Sequence, residues 1–133
     1  MPYRLEIELP ASPETLTAAL EGLTATNAVM MRRAQELGGQ WPPLYESGIR
    51  YVAEPSFGNL QKWPNAAQVL LAGQADCKGL AAWRAAELRL AGEPAIAYAY
   101  ESGPQRYHAV VRRADGTTED PSRLLGMGSL NGY

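Results

Sequence analysis

The chain has 133 residues, 46% of them apolar, which suits one domain able to bury a core without disulfides or a structural metal. Its net charge of -2 leaves no basic surplus for a phosphate backbone, and Arg32-Arg33 and Arg112-Arg113 are isolated pairs, so nucleic-acid binding is not expected. One Cys and one His cannot supply a zinc ligand set, no run approaches the roughly 18 apolar residues of a membrane span, and no secretory signal opens the chain, so a soluble, cytoplasmic protein without metal or cofactor is expected.

In chain order, Tyr3 to Leu9 alternates Leu5, Ile7 and Leu9 with charged neighbours and reads as a short strand closed by Pro10. Ser12-Pro13-Glu14 is an N-cap followed by proline at the first helical position, and Leu16, Leu20 and Leu23 continue with helical spacing. That helical region ends near Gly38-Gly39, with an interruption admitted around Thr24 to Asn27. From Trp41 to Pro64 the prolines 42, 43, 55 and 64, with Gly48 and Gly58, disfavour regular helix and predict extended chain wrapping the domain. Its aromatics, Trp41, Tyr45, Tyr51, Phe57 and Trp63, read first as caps on the core and second as groove lining.

A short helix is predicted over Asn65 to Leu71, ended by Gly73, and a second from Cys77 to Leu90 or Ala91, stopped by Gly92 and Pro94. The second is apolar or small on almost every side, its charges being Lys78, Arg84, Glu87 and Arg89, so it should pack on several faces as a central element. Ala95 to Tyr100 and Arg106 to Arg113 read as strands joined by Glu101-Ser102-Gly103-Pro104, and a third short strand follows Asp115-Gly116. Helices followed by an antiparallel sheet make an α+β fold, a single domain over residues 1–133.

Cys77 at a helix start, with Asp76 as the N-cap before it, occupies the place where a thiol becomes a useful nucleophile, and the backbone N–H groups there could hold an oxyanion. Scarcity names its partners. The only imidazole is His108, and the aspartates are 76, 115 and 120. Asp76 adjoins the nucleophile and Asp115 belongs to a turn, leaving Asp120 as the third member, with Asn27, Asn59, Asn65 and Asn131 as substitutes of poorer placement. Strand parity supplies a condition: a two-residue loop at Asp115-Gly116 would set Asp120 against Val111, on the face opposite His108. With Ala114-Asp115-Gly116 as a bulged three-residue loop, Arg113 faces Thr117 and Asp120 faces Val110, so His108 and Asp120 share a face. The bulged loop, or a longer irregular one, is expected.

Each residue has a plainer role open to it: free cysteines are among the most buried residues, neutral histidine fits easily in a strand, and Asp before Pro starts turns. The order carries the case. Gly73-Gln74-Ala75-Asp76-Cys77, Gly92-Glu93-Pro94-Ala95, His108-Ala109-Val110-Val111 and Asp120-Pro121-Ser122 together resemble the transglutaminase-like superfamily core over roughly residues 62 to 127. The N-terminal strand, helix and Pro-rich segment (1–61) precede it. Pro42 to Gly48 and Arg123 to Met127 also resemble short phage or prophage transglutaminase-like proteins. The resemblance implies a papain-like fold whose central helix begins at the Cys and packs on an antiparallel sheet, with a Cys77-His108-Asp120 triad acting on a protein or peptide amide.

Protease, deamidase and transglutaminase chemistry share the first half-reaction, and the sequence leaves them open. The alternative is a phage-type binding or assembly module on the same scaffold. Two departures from the family pattern are Lys78, where relatives have an acidic residue, and Gln74-Ala75 in place of a glycine before Asp-Cys. Lys78 is expected to be solvated at the helix end, and Gln74 and Trp63 are candidates for the oxyanion hole or substrate groove.

Overall fold

The computed structural model describes residues 12–53 and 63–128. The strand expected at Tyr3 to Leu9, and Pro55, Phe57 and Gly58 of the wrapping segment, lie outside the described residues.

Helix α1 (Pro13–Glu36) starts where the cap predicts, the Ser12 side chain accepting from the Thr15 amide at 3.1 Å. The interruption admitted around Thr24 to Asn27 does not occur. Thr24 donates to the Leu20 carbonyl at 2.7 Å, and the Asn27 side-chain oxygen accepts from the Ala66 amide at 2.8 Å. Both side chains are fully buried, so tertiary contacts override the poor helix propensity of these residues.

The Pro-rich segment is mostly irregular, as expected, but folds into a short 3-10 turn (Leu44–Glu46) and strand β1 (Arg50–Tyr51). Helix α2 (Ala66–Ala72) opens with a capping box between Asn65 and Gln68 and closes on Gly73, whose φ of 75° is the left-handed conformation glycine adopts freely. Directly after it, β2 (Gln74–Ala75) pairs in parallel with β1, Arg50 opposite Gln74 and Tyr51 opposite Ala75. Neither strand was expected, because two residues carry no alternation to read.

Helix α3 (Cys77–Leu90) precedes the antiparallel sheet β3 (Ile96–Gly103), β4 (Arg106–Arg112) and β5 (Thr118–Glu119), which lie in that spatial order. β3 continues past Tyr100, with an irregularity between Glu101 and Gly103, so the turn falls at Pro104-Gln105 rather than over Glu101 to Pro104. α3 is the central element. One face, Ala81, Ala85 and Leu88, packs on Leu16 and Leu20 of α1 and on Ala97, Ala99, Ala109 and Val111 of the sheet. Another face, Leu80, Trp83 and Ala86, packs on Met31, Leu44, Ile49, Ala66, Val69 and Leu125. The fold is α+β, with a buried helix laid on an antiparallel sheet.

Candidate active site

The start of α3 is built by its cap: Asp76 Oδ1 accepts from the amides of Lys78 (3.1 Å) and Gly79 (3.3 Å). Cys77 is therefore the first helical residue, half-buried, and its own N–H is not among those the cap takes. Gly79 lets this end sit close to β2 and α2, since a Cβ there would meet Ala75 Cβ at 3.0 Å and Val69 Cγ2 at 3.3 Å. Sequence reasoning missed that glycine, whose close neighbours come from β2 and α2.

The loop between β4 and β5 is the bulged three-residue form. The Arg113 amide donates to the Thr117 carbonyl at 2.8 Å, the Gly116 amide donates to the Arg113 carbonyl at 3.0 Å, and Gly116 has a φ of 87°. Register then runs Arg112 opposite Thr118 and Val111 opposite Glu119, which sets Asp120 on the parity of His108. The consequence is direct contact: His108 Nε2 and Asp120 Oδ2 are 2.9 Å apart. Asp120 has a second task as N-cap of the short helix α4 (Pro121–Leu124), accepting from the Arg123 amide at 3.4 Å, with Arg123 Nε at 3.6 Å from Oδ2. Of the substitutes, Asn27 serves the Ala66 amide and Asn65 caps α2, while Asn59 and Asn131 lie outside the described residues.

His108 is 1% exposed and hydrogen-bonds Cys77 as well as Asp120. With Nε2 engaged by the carboxylate, Nδ1 is the ring nitrogen left for the thiol. Burial disfavours the charged imidazole, but the hydrogen bonds to Asp120 and Cys77 and the charges of both groups outweigh it and raise the His108 pKa to about 9. Directly across β3, Tyr100 packs its ring against the imidazole at 5.8 Å with an interplanar angle of 87°. Sequence reasoning missed Tyr100. Its position opposite His108 follows only from the β3–β4 register.

Comparison of the chain with protein-family models, curated proteins and solved structures gives no match. The site therefore stands on its own geometry.

Gln74 and Trp63 both line a cleft of about 580 Å³ that begins beside Asp76 and is otherwise mostly apolar, with Val52, Pro64, Val69 and Ala72 among its walls. Trp63 and Cys77 both pack against the same core cluster, and Asp76, the neighbour of Cys77 in sequence, belongs to the cleft wall. Lys78 is not solvated, contrary to expectation. Its ammonium pairs with Asp76, lies 5.4 Å from the centre of the Trp63 ring, and its side chain is only 12% exposed. The lysine is drawn back by the capping carboxylate and the ring face, which together outcompete hydration. Among the described residues, no three His, Cys, Asp or Glu side chains gather as a metal site would require.

Proposed function

We propose that the chain is a thiol-dependent acyl transferase or hydrolase of the transglutaminase-like, papain-like type, acting on the amide of a protein or peptide. The observation that carries this reading is a single buried imidazole hydrogen-bonded through Nε2 to Asp120 and raised in pKa by Cys77 as well. Asp120 holds the ring so that Nδ1 faces the sulfur. The thiol proton passes to His108 Nδ1, whose pKa of about 9 keeps it there at neutral pH, and Sγ then bonds to the carbonyl carbon as the C=O electron pair moves onto oxygen. The Cys77 N–H at the helix start is the nearest backbone donor to that oxygen, and Gln74 is a side-chain candidate beside it.

When the tetrahedral centre collapses, the C–N bond breaks and His108 delivers its proton to the departing amine, leaving a thioester on Cys77. Water or an amine then attacks the thioester, gives its proton to His108, and the sulfur leaves and recovers that proton. Hydrolysis, deamidation and crosslinking differ only in substrate and acceptor. The cleft beside Asp76, with its Trp63 wall, would take the substrate flank.

The test is p-nitrophenyl acetate, followed by mass spectrometry of the intact chain and its peptides. Wild-type protein should release a burst of nitrophenolate and carry one acetyl group on Cys77, while His108→Ala should lose the burst by about a hundredfold or more. Acetylation spread over lysines, with Cys77 untouched in the folded chain, contradicts the proposal.

A further inference from the structure

Asp120 is anchored on its C-terminal side by α4, whose Leu124 amide donates to its carbonyl at 3.3 Å, but on the other side β5 is two residues long and pairs with β4 only through Val111–Glu119 and Arg112–Thr118. The neighbouring Glu119 side chain supplies what the ladder lacks. Its Oε2 accepts from Arg84 Nε at 2.6 Å and from the Tyr45 hydroxyl, and its Oε1 accepts from Arg113 Nη1 at 2.7 Å. Arg113 turns its other edge onto Glu93 at 2.6 and 2.7 Å. Arg84 also lies 3.7 Å from Glu87, whose carboxylate accepts from the Leu44 amide at 3.1 Å.

One carboxylate thus ties together α3, which begins with Cys77, the start of the loop that leaves β4, the strand carrying His108, and the 3-10 turn at Tyr45. It does so at the residue immediately before Asp120. The Glu119 side chain is 14% exposed, and the cluster joins three acids to two guanidinium groups, so it is a partly desolvated network rather than a loose surface pair. Burial alone would favour the neutral acid, but the hydrogen bonds to Arg84, Tyr45 and Arg113 outweigh it and hold the carboxyl below its ordinary pKa, so the clamp is charged at neutral pH.

We propose that Glu119 is a positioning residue: gripped by Arg84, Arg113 and Tyr45, it fixes the end of β5 so that Asp120 meets His108 Nε2 and the other ring nitrogen faces Cys77. Its catalytic consequence rests on the acyl-transfer reading above. The physical reason is tolerance: a hydrogen bond of 2.9 Å is lost once its atoms drift past about 3.5 Å, and a two-residue strand released at its end permits that drift.

The experiment is a pH titration of the His108 ring by nitrogen-correlated NMR in the full-length Cys77→Ala chain, which leaves Asp120 as the partner to be tested. Asp120→Asn should lower the His108 midpoint and let the neutral ring exchange between tautomers. Glu119→Gln should do the same with Asp120 intact, lowering the midpoint by about one unit, and Arg84→Met should do so to a smaller extent. In the chain that retains Cys77, Glu119→Gln should slow acetylation by p-nitrophenyl acetate about tenfold. If Asp120→Asn moves the titration and Glu119→Gln leaves midpoint, tautomer and acetylation rate unchanged, the positioning role is overturned and the acyl-transfer reading stands. If neither substitution moves the titration, the His108–Asp120 contact itself fails, and the reading with it. Should Glu119→Gln lose its folded amide dispersion, Arg84→Met and Arg113→Met carry the same test.

Discussion

The two packed faces of α3 meet their neighbours with different side chains. Toward the sheet the contacts are made largely by alanines, Ala81 and Ala85 against Ala97, Ala99 and Ala109, whereas on the other side Leu80 and Trp83 meet Met31, Leu44 and Ile49. An alanine ends at Cβ, so the helix backbone can lie close to the strands, and that spacing brings Cys77 within reach of His108. The bulky face fills volume, and most of the gain from burying apolar surface belongs to it. One face sets a distance; the other holds the domain together.

The contrast can be broken most forcefully at Trp83, which is fully buried and packs on Trp41 at 5.8 Å. Trp83→Ala should cost about 3–5 kcal/mol in urea unfolding while the remaining folded fraction keeps a reactive thiol. Loss of reactivity in that fraction would erase the distinction between the faces. Ala109→Leu should show the opposite balance, destabilising by about 1–3 kcal/mol but parting helix from strand, so that the His108-dependent acceleration of alkylation disappears.

A smaller effect isolates electrostatics from packing. In the Cys77→Ala chain, Asp120 is the partner left to favour the charged imidazole against its burial, so the folded pKa of His108 should lie below that of the intact chain but above its ordinary value near 6.5. A raised folded pKa contributes stability that is complete below pH 6.5 and is lost as pH rises through the folded pKa. The unfolding free energy should therefore fall as pH rises above 6.5, by the order of 1 kcal/mol, and Asp120→Asn should flatten that slope. Smallest of all in its effect on the thiol, Lys78→Met should leave alkylation nearly as fast, because the Lys78 charge is already taken up by Asp76.

Much of this arrangement is legible from local chemistry. Ser12-Pro13, Asn65 with Gln68, and Asp76 each announce a helix start through bonds formed within four residues, and the structure contains all of them. The loop at Ala114-Asp115-Gly116 could be inferred because a one-residue change in its length moves Asp120 to the other face. Asp120-Pro121 repeats the Ser12-Pro13 signature, yet reading Asp120 as triad member or turn starter does not anticipate α4.

What escaped detection depends on partners distant in sequence. Asn27 looks like a helix breaker until Ala66 is placed beside it, and Thr24 until the core closes over it. Lys78 looks solvated until Trp63 is brought over it, and Glu119 looks like an ordinary strand charge until Arg84 and Arg113 converge on it.

The most direct measurement is the rate of Cys77 alkylation by iodoacetamide across pH, in the wild-type chain and in His108→Ala, read by mass spectrometry. An ordinary thiol reacts in proportion to its thiolate and becomes fast only near pH 8.5. Wild-type Cys77 should react readily at pH 6, about tenfold or more faster than in His108→Ala. Identical profiles for the two proteins, both rising near pH 8.5, would contradict the account.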